Sequence, residues 1–118
     1  MIGSTRNFRV FARNQPTDLR AGFDALFGLV KGELGQDPMA GDLFLFVNRS
    51  RRSAKVLYWD GTGLCIYAKR LSKGLFAALW SEAGGPALSL TQSELNLFLE
   101  GAVLTGRLPI SPPPFLHK

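Results

Sequence analysis

The sequence predicts an α+β fold. A single domain over residues 1–107 carries a mostly antiparallel sheet of about four strands with two main helices packed on one face, and an extended proline-rich tail follows over residues 108–118. Three observations predict it: a helical apolar stripe from Leu19 to Leu34, two β-forming runs around a tight turn at residues 60–63, and a helix-start signature at Thr91–Glu94. A chain of 118 residues, 46% hydrophobic with nine Phe, can bury one core without disulfides or metals.

The first element is F8-R-V-F-A12, whose alternation makes a strand with Arg9 opposite to Phe8 and Val10. Between Pro16 and Gly35, the residues Leu19, Phe23, Leu26, Phe27, Val30 and Leu34 recur at spacings of three and four, which lays an apolar stripe along one helix. Thr17 is its expected N-cap, Asp18 suits the positive end of the dipole, and Gly35 stops it. Glycines at 22, 28 and 32 each cost up to about 1 kcal/mol relative to alanine, so this helix depends on packing.

D37-P-M-A-G41 has turn chemistry, and the continuous apolar run L43-F-L-F-V47 reads as a buried strand. K55-V-L-Y-W59 and L64-C-I-Y-A-K69 flank D60-G-T-G63 as a hairpin. A four-residue loop pairs Trp59 with Leu64, Tyr58 with Cys65, Leu57 with Ile66 and Val56 with Tyr67; it turns Leu57, Trp59, Leu64 and Ile66 towards the helix. A two-residue turn would shift that register. Residues 72–88 read as a short helix or an irregular crossover broken at G84-G-P86. T91-Q-S-E94 is a capping box, Leu90 and Leu95 stand at the staple positions, and Phe98, Leu99 and Ala102 continue a second buried face.

Several chemistries find no support in these residues. One Cys (Cys65) and one His (His117) cannot assemble a soft-ligand metal site, and Cys65 lies inside a strand with no neighbouring histidine, so it reads as packing. The carboxylates of Asp18, Asp24, Asp37, Asp42, Asp60, Glu82, Glu94 and Glu100 have ordinary roles as dipole partners, turn formers, caps or exposed positions. G61-T-G63 opens no helix and cradles no phosphate. No catalytic residue, cofactor or metal is expected. A single cysteine, no secretory leader and no apolar run of membrane-spanning length predict a cytoplasmic protein.

Charge is the informative feature. The chain carries +5 overall, yet residues 49–73 hold Arg49, Arg51, Arg52, Lys55, Lys69, Arg70 and Lys73 against Asp60 alone, while the remaining 93 residues carry seven basic and eight acidic groups. Such confinement suggests a polyanionic partner, with a solvated basic rim as the alternative. The hairpin sets Lys55 beside Ala68 and Lys69, so both basic clusters are expected at one end of the sheet, as one contiguous patch on a single exposed flank.

R20-A-G-F-D-A-L26, D37-P-M-A-G-D-L-F-L-F46, K55-V-L-Y-W-D-G-T-G-L-C-I-Y-A-K-R-L71, G74-L-F76 and L90-T-Q-S-E-L-N-L-F-L-E-G101 together resemble the small TnpB-type accessory protein of the insertion-sequence sixty-six family of bacterial transposable elements. The W-D-G-x-G-L-C-x-Y-x-K-R-L block is the most specific part. This chain departs from that pattern at Ala21, where relatives are generally basic, in the loop from Asn48 to Ala54, where they are rich in Arg and Gly, and at Ala102 and Val103, where they carry Asp-Trp, while the loop keeps its basic character. The resemblance implies a protein encoded beside a separate transposase, with no catalytic centre to carry over. The expected function is a non-enzymatic accessory protein of DNA transposition that binds DNA at element ends through the seven cations named above. The rival expectation is an interaction module docking on the transposase or another protein of the element without touching DNA.

Overall fold

Leu43–Val47 forms β2, and all five of its side chains are buried. A strand that must be covered on both faces determines the architecture around it. The computed structural model describes residues 7–80 and 84–101. It contains β1 (Val10–Arg13), α1 (Phe23–Gly28) continuing into a π-helical turn (Leu29–Glu33), β2, β3 (Ser53–Trp59), β4 (Leu64–Arg70), β5 (Ala87–Leu90) and α2 (Gln92–Leu99). The strands form a single sheet in the order β4-β3-β2-β1-β5.

The expected α+β class and mostly antiparallel sheet hold, with two corrections. Among the described residues the sheet has five strands, and it is mixed: β1 pairs parallel with β2, whereas the β1–β5, β2–β3 and β3–β4 pairings are antiparallel. The parallel pair arises because the connection from β1 to β2 runs through a helix, as parallel neighbours require. The expectation of both helices on one face is also overturned. Leu26, Val30 and Leu34 pack with Phe44, Phe46 and Leu57 on one side of the sheet. Leu95 and Phe98 pack with Leu43, Leu45, Val47, Ala54 and Val56 on the other. Alternating β2 side chains thus feed two separate cores.

The parallel pair is clamped at its start. Asp42, 5% exposed, accepts from the Arg9 backbone N–H at 2.9 Å and from the Arg9 guanidinium at 2.8 Å, and the Leu43 N–H donates to the Arg9 carbonyl at 2.9 Å. The helix that follows starts later than its stripe suggests. Its N-cap is Gly22, without a side-chain cap, and Thr17 lies in an irregular strap instead. The Thr17 N–H donates to the Val47 carbonyl at 2.8 Å, and its hydroxyl accepts from Arg13, which is ion-paired with Glu33 at 2.6 Å. With its backbone docked against the end of β2, the strap takes the place of the first expected helical turns. Gly35, at φ 65°, ends the helix as expected.

The hairpin register agrees with the sequence reading in every pair, from Val56↔Tyr67 to Trp59↔Leu64. Asp60 builds the turn: one carboxylate oxygen accepts from the Thr62 N–H at 2.9 Å, the Thr62 hydroxyl at 3.0 Å and the Gly63 N–H at 3.0 Å. Gly61, at φ 106°, supplies the backbone conformation that a side chain resists. The stretch 72–80 is irregular and presses Phe76 against Phe98, with ring centroids 4.9 Å apart. Its neighbour β5 is a strand that periodicity did not reveal. The capping box of α2 is complete, with Thr91 Oγ1 accepting from the Glu94 N–H at 3.0 Å and Glu94 accepting from the Thr91 N–H at 2.8 Å. The expected tail at 108–118 and the staple's continuation at Ala102 lie outside the described residues.

Two outcomes follow from these local devices. Thr91→Ala removes the cap on α2 and should cost about 1 kcal/mol in urea unfolding, with the fold unchanged by circular dichroism. Asp60 is held down from 3.8 to about 2 by hydrogen bonds from Thr62, then Gly63 and Cys65. A carboxyl whose folded pKa lies below its unfolded value stabilises above the unfolded pKa, and that stability is lost as pH falls through the folded one. NMR titration should therefore place the Asp60 carboxylate near 2, and Asp60→Ala should abolish this share of the acid destabilisation between about pH 4 and pH 2.

Candidate nucleic-acid interface

The loop between β2 and β3 is built rather than slack. Asn48 organises it: its side-chain oxygen accepts from the N–H groups of Arg52 at 3.1 Å and Ser53 at 3.2 Å, while its own N–H donates to the Ser53 carbonyl at 3.2 Å. Two further bonds tie the loop to the irregular segment that follows β4. The Leu71 N–H donates to the Arg52 carbonyl at 2.9 Å, and the Phe76 N–H donates to the Arg51 carbonyl at 2.7 Å. Both basic clusters therefore sit at one end of the sheet, with Ser53 opposite Arg70 and Ala54 opposite Lys69.

They do not share one face. Lys55 reaches to the α1 side, where Nζ donates to the Ala21 carbonyl at 3.0 Å. Lys69 points to the α2 side, where Nζ donates to the Leu99 carbonyl at 2.6 Å and so complements the negative end of α2. Arg51 takes the left-handed conformation, φ 60°, and its guanidinium donates to the Phe76 carbonyl at 3.3 Å. Each of these three cations thus donates to a backbone carbonyl of the scaffold. Arg49, Arg52, Arg70 and Lys73 are exposed and form no ion pair or side-chain hydrogen bond with any other described residue. The expectation of a single basic surface is thus corrected: strand alternation sends Lys55 and Lys69 to opposite sides, and four exposed charges surround the end of the sheet.

A cleft of about 690 Å³ opens between the loop and the strap, with Thr17, Leu19, Arg20, Asn48, Arg49 and Ser53 among its lining. Through Leu19 and Ser53 it adjoins a smaller depression of about 260 Å³ that Lys55 and Arg70 also line. Arg20 is a cation the sequence reading did not include. Its guanidinium pairs with Asp18 at 2.6 Å, and this partner holds the Asp18 carboxyl down at about 2. Its signal was spatial: only the docking of Thr17 on Val47 brings residues 16–20 to the loop.

Cys65 is unsuited to nucleophilic work. Desolvation pushes its thiol up, the Asp60 carboxylate 3.4 Å away adds to the shift, and the neutral thiol predominates. Among the described residues, no three His, Cys, Asp or Glu side chains converge as a metal site would require, and no helix is long and apolar enough to cross a membrane.

The IS66 Orf2-like protein family model matches residues 8–107. Two curated proteins of Sinorhizobium fredii are similar along most of their length. The uncharacterized protein y4hO is 38% identical over 101 residues, covering 86% of this chain and 86% of that protein. The uncharacterized protein y4jC is 34% identical over 101 residues, covering 86% of this chain and 85% of that one. No solved structure matches. The matched span takes in every described strand and helix, including the W-D-G-T-G hairpin and the capped α2, and the chain belongs to the IS66 Orf2-like family, the TnpB-type accessory proteins of insertion sequences.

Proposed function

We propose that this protein assists transposition of its insertion sequence by binding DNA, at the element ends, without catalysing strand chemistry itself. The observation that carries the reading is the set of exposed cations Arg49, Arg52, Arg70 and Lys73, paired with no described acid, around an ordered loop. Guanidinium and ammonium groups in such a position exchange condensed counterions for phosphate contacts, and arginine can in addition reach a guanine edge. Lys55, Lys69 and Arg51 belong to the same basic segment but act through the scaffold, each donating to a backbone carbonyl. The cleft beside the loop adds Arg20 to the candidate surface.

A second reading, docking on the transposase of the same element without DNA contact, draws on the exposed aromatic side chains of Phe23, 49% accessible, and Tyr67, 46% accessible. Co-purification with the transposase that survives nuclease treatment separates it from the first.

Fluorescence anisotropy on duplex DNA over a salt series tests DNA binding directly. The affinity should fall with salt, with a log–log slope of about −0.9 for each phosphate contact. Replacing Arg49, Arg52 and Arg70 together by Ala should reduce that slope in proportion and leave the unfolding curve unchanged, whereas Lys69→Ala should lower stability by loosening the end of α2. Binding that is absent, or indifferent to salt and to the triple substitution, overturns the proposal.

A further inference from the structure

The two edges of the sheet are protected very differently. At one edge β5 is only four residues long and follows Pro86. Short strands and prolines blunt an edge against pairing. At the other edge β4 runs for seven residues, Leu64–Arg70, with an unbroken register to β3, no proline and no bulge. Five consecutive residues of it, Leu64 to Ala68, are apolar or aromatic, and Tyr67 and Ala68 are exposed.

Ladder parity shows which peptide groups of β4 face outward. The Asp60 N–H donates to Gly63 at 3.1 Å and the Leu71 N–H to Arg52 at 2.9 Å, so both flanking rungs are hydrogen-bonded pairs. Hydrogen-bonded and non-hydrogen-bonded pairs alternate in an antiparallel ladder. Within the register Ser53↔Arg70 to Trp59↔Leu64, the bonded partners on β4 are therefore Cys65, Tyr67 and Lys69. The N–H and C=O groups of Leu64, Ile66, Ala68 and Arg70 point away from β3, and no other described strand receives them.

We infer that this edge pairs antiparallel with β4 of a second copy of the chain, centred on Ile66, to make one continuous sheet through both molecules. Outward-facing groups meet only when even positions face even positions, and Ile66 is the midpoint of the apolar stretch. In that register Ile66 faces Ile66 of the second copy and Leu64 faces its Ala68, so the stretch covers itself along its whole length. Lys69 then faces Gly63 and Arg70 faces Thr62 of the second copy, next to the turn that carries the Asp60 carboxylate. Sliding the centre to residue 69 or 70 would instead set like charges face to face.

The arrangement has a consequence that rests on the DNA-binding reading. Arg52 lies level with Leu71, so from the ladder spacings the two basic loops stand roughly 35 Å apart, close to one turn of B-DNA. A dimer would thus present two matched phosphate-binding ends to successive turns of one duplex.

Light scattering of the full chain without DNA tests the pairing separately from DNA binding. The native chain should give a dimer mass. Ala68→Pro removes an outward N–H that β3 does not use, and should weaken dimerisation at least tenfold while circular dichroism stays native. Ala68→Glu, on an exposed position, serves if the proline variant misfolds. For the register, Cys65 should face residue 67 of the second copy. Tyr67→Cys should then give a covalent dimer with diamide, the two thiols passing two electrons and two protons to it, whereas the native chain should not. A native chain that stays monomeric from micromolar to millimolar concentration overturns the inference, as does a dimer unaffected by a folded Ala68 variant. Slow amide exchange at Ile66 and Ala68 in such a monomer would assign the edge to a segment of the same chain. Failure of the Tyr67→Cys crosslink in a dimeric protein overturns the register.

Discussion

Burial of β2 on both faces is the constraint from which the rest of the structure follows. Phe44 and Phe46 are fully buried towards α1, and Leu43, Leu45 and Val47 are buried towards α2. One cover would leave about half of this strand's apolar area in water, at roughly 25 cal/mol per Å². The chain therefore places α1 on one side and α2 with Phe76 and Leu79 on the other. Each of the two cores is small, but they share a strand, so neither helix can detach without exposing side chains that the sheet has no other way to cover.

Two-sided coverage also shapes the candidate interface. The chain leaves β2 at Val47, whose carbonyl is taken by the strap residue Thr17, and enters a loop whose Arg51 and Arg52 carbonyls are taken by Phe76 and Leu71. Strap, loop and irregular segment meet there because each belongs to a connection that must pass the same end of the sheet. The basic loop is consequently a junction between the covers of both faces. Residues at such a junction split into those that hold the covers and those left in solvent, which is how Lys55 and Lys69 come to grip opposite carbonyls while Arg49 and Arg52 stay exposed.

Where local chemistry dictates structure, the sequence is a reliable guide. D-G-T-G set the hairpin register because the Asp60 carboxylate satisfies its own turn, and T-Q-S-E marked the start of α2 because both bonds of the box lie within four residues. Three features depended on distant partners and were not legible. The apolar stripe of Leu19–Leu34 ignores the docking of Thr17 on Val47, so the helix was begun several residues too soon. A-L-S-L, only four residues long and directly after the Gly-Gly-Pro break, is too short for a period and becomes a strand only beside β1. Counting charge along the chain locates the basic end of the sheet but ignores the strand alternation that sets Lys55 and Lys69 on opposite faces. Arg20 is the third such feature, being close in space to the loop and remote from it in sequence.

Arg51 shows how the loop reconciles shape with charge. A non-glycine residue at φ 60° costs of order 1 kcal/mol or more, and glycine would occupy that position without strain. Arginine there is offset by what it contributes. Its N–H donates to the Asn48 carbonyl at 3.0 Å and its carbonyl accepts from Phe76 at 2.7 Å, as those of a glycine would, and its guanidinium adds a bond to the Phe76 carbonyl at 3.3 Å. The same residue thus closes the loop and fastens it to the stacked Phe76–Phe98 pair. A loop fixed in this way has already lost the backbone freedom that binding would otherwise remove, so contacts made by its exposed neighbours Arg49 and Arg52 would be discounted only by the ordering of their own side chains. Rigidity at Arg51 and exposure at Arg49 and Arg52 are therefore two halves of one arrangement: the strained residue supplies the frame, and the unstrained ones present the charge.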